Sequence, residues 1–136
     1  MATDLFSADG ATRWQTRLNA SARFAAAAAD WSGTLLLIES DDNESVPALR
    51  RTWVRVGAGR CLEARLGEPD DAERADFVLT ASPRTWGALS SAQTTPALAA
   101  MTGRLKLTKG EVFALIPHAR AAAELLAAAA EDATDA

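Results

Sequence analysis

A chain of 136 residues, 49% hydrophobic and 24% charged, has the composition of a soluble globular protein and enough length for one core that buries about two-thirds of its unfolded surface. Its formal net charge of -4 has the wrong sign for gathering nucleic-acid phosphates, so no nucleic-acid partner is expected. Cys61 is the only cysteine, which excludes an intrachain disulfide and a multi-cysteine zinc site and suits a reducing compartment.

The chain opens Met1-Ala2-Thr3-Asp4-Leu5-Phe6-Ser7, with acid where a signal peptide needs base. No run approaches the ~18 to 20 apolar residues of a membrane span, so a cytoplasmic protein without integral membrane contact is expected. Trp14 and Leu18 share one face at i,i+4, which predicts a short helix over residues 12–18 with Ser7 or Asp9 as its cap. Asn19 breaks it, and Ser21 caps a second helix running to Ala29. Strand 1, residues 34–39, is apolar on both faces through Leu35-Leu36-Leu37-Ile38, which suits a central position. Residues 40–48 form a solvated acidic loop. Strand 2, residues 51–56, alternates Thr52, Val54 and Val56 with Arg51, Trp53 and Arg55, so one of its faces is wet apart from an indole. Gly57-Ala58-Gly59 turns the chain into strand 3, residues 61–66, with Leu62, Ala64 and Leu66 expected inward. An acidic loop over 67–74 leads to strand 4, residues 76–80. Ser82-Pro83 and Thr95-Pro96 each start a helix, because proline lacks an amide where none is needed. Strand 5, residues 104–108, points Leu105 and Leu107 inward and Arg104, Lys106 and Thr108 outward, with lysine blunting an exposed edge. A helix over 111–130 closes the chain and kinks at Pro117.

No catalytic constellation emerges. His118, the only histidine, has no serine or cysteine nucleophile in a recognisable motif around it. Gly57-Ala58-Gly59 lacks the third glycine and following helix of a dinucleotide site, and Asp41-Asp42-Asn43-Glu44 has Val46 where a calcium loop needs glycine. Asp70 and Asp71 read as a pair solvating a turn. No enzyme, catalytic residue, metal ligand or cofactor is expected.

The order Ala75-Asp76-Phe77-Val78-Leu79-Thr80, then Trp86 in a helical crossover, then Gly103-x-Leu105-x-Leu107-x-x-Gly110, resembles the C-terminal half of the sterol carrier protein 2 family. Trp14, Asn19, Phe24 and Asp30-Trp31-x-Gly33 before a strand extend the resemblance, in its bacterial form, to almost the whole chain. The turn spacing gives a three-strand meander. The resemblance places strands 4 and 5 on its far side and implies an α+β fold, a five-stranded mixed, mostly antiparallel sheet with helices on one face, in a single domain over residues 1–136.

It also implies a non-enzymatic carrier that holds a sterol, fatty acid or acyl-CoA in an apolar tunnel between sheet and helices. Trp14 and Trp31 are assigned to core packing, whereas Trp53 and Trp86 are the indoles expected to touch the ligand. Phe77, Leu79, Leu105, Leu107, Phe113 and Ile116 are expected to line the rest of the tunnel that the resemblance implies. Alanine-rich helices either leave room for the ligand or permit close packing. The alternative is an interaction or dimerisation module accessory to an enzyme, with a residual cavity. A homodimer is left open. Arg104, Lys106 and Lys109 are assigned to edge protection and solubility rather than to binding.

Overall fold

In the computed structural model, which describes residues 4–40 and 50–129, hydroxyl side chains cap four of the helices, at Ser7, Ser21, Ser82 and Thr95. The elements run α1 (Ala8–Ala20), α2 (Ala22–Ala27), β1 (Ser32–Glu39), β2 (Arg50–Gly57), β3 (Arg60–Leu66), α3 (Asp71–Arg74), β4 (Phe77–Ala81), α4 (Pro83–Ser90), α5 (Pro96–Met101), β5 (Leu105–Lys109), α6 (Val112–Leu115) and α7 (Ala119–Ala127). Ser7 Oγ accepts from the Gly10 amide at 3.0 Å, so α1 begins a turn earlier than its apolar stripe suggests. Ser21, Ser82 and Thr95 cap α2, α4 and α5 in the same way, at 3.1, 3.2 and 3.2 Å. Pro117 sits in a single 3-10 turn, Ile116–His118, that separates α6 from α7, because the ring removes a helical donor. The run Asp41-Asp42-Asn43-Glu44 and the side chain of Phe113 lie outside the described residues.

The sheet has the order β3-β2-β1-β4-β5, with β1 and β4 parallel and every other pair antiparallel. This is the α+β arrangement the resemblance implied. Alternation sorts the faces: Leu35 and Leu37 of β1 stand beside Val54 and Val56 of β2 in the main core. Trp14, Leu18 and Phe24 from α1 and α2 and Leu125 from α7 pack there, all but Leu125 fully buried and Leu125 nearly so. The Trp14 indole donates to the Leu125 carbonyl at 2.8 Å, tying the first helix to the last.

Strand β3 corrects the expected pattern. Val54 pairs with Ala64 and Val56 with Cys61, so Leu62 is the extra residue of a bulge and is 47% exposed rather than inward. Cys61 takes the inward place, 2% exposed. Leu66, at the strand's last residue, is also largely exposed. Asn19, placed in the sequence as a helix breaker, instead lies within α1, which runs on to Ala20, and its side-chain amide gives to the Cys61 carbonyl at 3.0 Å and takes from the Cys61 amide at 2.8 Å. With Gln15, which gives to the same carbonyl at 3.3 Å, it satisfies part of an edge strand that has no further strand partner among the described residues.

Candidate functional site

The register of β4 and β5 puts Leu79 opposite Leu107 and Ala81 opposite Leu105, all facing the helices. Leu105 and Ala81 are buried, whereas Phe77, Leu79 and Leu107 are only partly covered. Leu115 of α6 is likewise half-buried against the core, and Ile116 in the turn after it is 58% exposed. Gly110 shapes this end: its φ of +95° and the closeness of Phe77 Cδ1, 2.5 Å from where a Cβ would stand, let the Phe77 ring lie against the turn. Lys106, paired with Thr80, lies on the other face as expected. The strands therefore offer an apolar surface that the described chain leaves partly uncovered, chemically suited to hydrocarbon and to little else.

Trp86 belongs to the same core cluster as Ala81 and Leu105 and also borders a cleft. It is 2% exposed, its indole donates to the Ile38 carbonyl at 2.9 Å, and Phe6 meets it edge-on with centroids 5.6 Å apart. Together with Asp4, Leu5, Phe6, Pro83, Gly87 and Ser90 it lines a cleft of about 220 Å³. A knot that the sequence did not reveal holds the N-terminal wall. Arg50 grips Glu39 through both carboxylate oxygens at 2.8 and 3.0 Å and reaches Asp4 at 3.0 Å, with its guanidinium 5.6 Å from the Phe6 ring. These acids hold the Arg50 pKa above its ordinary value, the Glu39 bond most of all.

Trp53 lies on the opposite face of the sheet from both surfaces, clustered with Leu36, Ala75 and Val78. Its indole donates to Glu63 Oε1 at 2.9 Å, and the Arg65 guanidinium stands 5.0 Å over the ring. Asp71, expected to solvate a turn, is instead fully buried beside this cluster. Its carboxylate accepts from Arg65 at 2.9 and 3.2 Å, from the Glu68 amide at 2.7 Å and from Arg74. Hydrogen bonds, those from Arg65 first, hold its pKa well below the usual carboxylate range. Of the residues assigned to the ligand, the structure thus brings together Phe77, Leu79, Leu105 and Leu107. It sets Trp86 in the same core cluster, at the border of a cleft, and Trp53 behind the sheet.

Comparison with known proteins follows the same lines. The model of the SCP-2 sterol transfer family matches residues 13–113. A crystal structure of sterol carrier protein 2 is 32% identical, covering 94% of this chain and 98% of its own, with a TM-score of 0.81. The solution structure of a conserved hypothetical protein from Thermus thermophilus is also 32% identical, covering 95% of this chain and 90% of its own, at 0.79. Palmitated SCP2L2 from Aedes aegypti shares the fold at 16% identity and a TM-score of 0.53, with 93% of this chain and 96% of that one covered. No curated protein matches the sequence.

Proposed function

This chain belongs to the SCP-2 sterol transfer family, and from that premise we propose that it is a non-enzymatic carrier holding the hydrocarbon part of a long-chain lipid against the helix face of β4 and β5. The observation that carries the reading is the partial cover of Phe77, Leu79, Leu107 and Leu115, while the large side chains over β1 and β2, Trp14, Leu18, Phe24, Leu35 and Leu37 among them, are sealed. Uncovered apolar area is unfavourable at about 25 cal/mol per Å², a deficit that an acyl chain would remove. The palmitated Aedes aegypti protein, of the same fold, makes palmitate the first ligand to try. The partly covered side chains are all hydrocarbon, which supports binding without chemistry. Cys61 is buried, with its thiol pushed up to about 11 by desolvation, which keeps it protonated and unreactive at neutral pH, and a cytoplasmic location is part of the same proposal.

Displacement of a fluorescent fatty acid by palmitate and by cholesterol tests the proposal. Palmitate should displace the probe, and Leu107→Glu should weaken binding by about tenfold or more, since a charge would then lie against the chain. A flat titration of the wild type would sink the carrier reading.

A further inference from the structure

Helix α5 buries a single side chain. Ala99 is 0% exposed, while Leu98 and Met101, three apart and therefore on neighbouring positions of the helix surface, are 49% and 84% exposed. This is no frayed end. Thr95 caps the start, and at the finish the Gly103 amide bonds the Ala100 carbonyl at 3.1 Å while the Arg104 amide bonds that of Ala99 at 2.9 Å, with Gly103 at φ +77°. The helix is closed at both ends by its own sequence and presents two large apolar side chains to solvent.

Beside them stands a cation. Arg104 Nε donates to Thr102 Oγ1 at 3.1 Å, which holds the guanidinium at the end of α5, and no carboxylate among the described residues pairs with it. Helix α5 packs on β5, the strand that carries Leu107, so this corner adjoins the partly covered apolar face.

We propose that the corner formed by Leu98, Met101 and Arg104 docks the protein on an anionic lipid bilayer, with the two apolar side chains inserted and the guanidinium on lipid phosphate. The inference rests on the carrier reading for its purpose but not for its physics. A protein partner fits less well: two flexible, non-aromatic side chains on a six-residue helix fall far short of the roughly 800 Å² and aromatic anchors of a stable interface. A bilayer needs only shallow insertion beside a matched charge. Charge complementarity is local, because the chain as a whole, at -4, is repelled by an anionic surface. Binding must therefore be oriented.

Flotation of the full chain with phosphatidylcholine vesicles, with and without phosphatidylserine, tests this. The wild type should float with the phosphatidylserine vesicles, and Met101→Asp and Arg104→Glu should each lower the bound fraction about tenfold, the scale of one lost buried apolar side chain or charge contact. Both substitutions are at exposed positions, and thermal melts matching the wild type would show that folding is intact. In the same preparations, Met101→Asp should displace fluorescent fatty acid with palmitate as the wild type does when vesicles are absent. A wild type that binds fatty acid yet never floats, or a Met101→Asp chain that floats unchanged, overturns the docking proposal and leaves the carrier standing. Vesicle binding lost on substitution, in a protein that binds no fatty acid, supports docking and removes the carrier.

Discussion

The two halves of the helix-facing sheet are built from the same kinds of residue and end in different states. Over β1 and β2, Leu35, Leu37, Val54 and Val56 are each 2% exposed or less beneath α1, α2 and α7. Over β4 and β5, Phe77, Leu79 and Leu107 keep part of their surface uncovered. Leucine on an inward strand position is thus no guarantee of burial; cover depends on which helix crosses above it. The sealed half supplies stability, and the open half has apolar area left over for a guest.

Stability measurements can break that contrast. Leu37→Ala should cost about 2–5 kcal/mol in chemical denaturation, because its cavity has no route to solvent, whereas Leu107→Ala should cost only about 1 kcal/mol. Equal losses would mean that the two halves are packed alike. Saturating palmitate should raise the melting temperature of the Leu37→Ala protein as much as that of the wild type, and that of Leu107→Ala less.

Behind the sheet, Asp71→Asn should cost about 2–3 kcal/mol, since it leaves Arg65 and Arg74 without their shared carboxylate. The pH dependence has a definite sign. The folded pKa of Asp71 is depressed, so its contribution is complete above the unfolded value of about 4 and is lost as pH falls from there toward the lower folded value. Acid titration of the variant should therefore show a shallower loss of stability below about pH 4 than the wild type.

These contrasts also mark how far the sequence could be read. Helix starts were legible because a cap is a local event: Ser21, Ser82 and Thr95 each bond an amide three residues on. The faces of β4 and β5 were legible because alternation survives in Leu105-Lys106-Leu107. Strand β3 was misread at Leu62, since a bulge shifts the alternation without a mark in the residue types. Asp71 was misread because its partner Arg65 belongs to another element and its burial depends on a short helix too brief for periodicity to show. The Arg50 knot draws on Asp4 and Glu39, 46 and 11 residues away, and only the assembled sheet brings them together.

Smaller effects sharpen the same division. Trp53→Phe should leave fatty-acid affinity within about twofold, because its ring sits behind the sheet among Arg65 and Glu63 rather than on the open face. A large loss would move the ligand to that side. Cys61 should resist thiol reagents at neutral pH until the chain unfolds, given its burial and a pKa pushed up to about 11. Lys106→Ala, at an exposed edge position, should change stability by less than about 0.5 kcal/mol.

The open half is tested most directly by backbone amide shifts recorded while palmitate is titrated into the isotope-labelled protein. The largest shifts should fall on β4, β5 and Leu115, with β2 and β3 almost silent. Shifts centred instead on Leu5, Phe6 and Trp86 would place the ligand in the N-terminal cleft and contradict the assignment of the β4–β5 face as the carrier site.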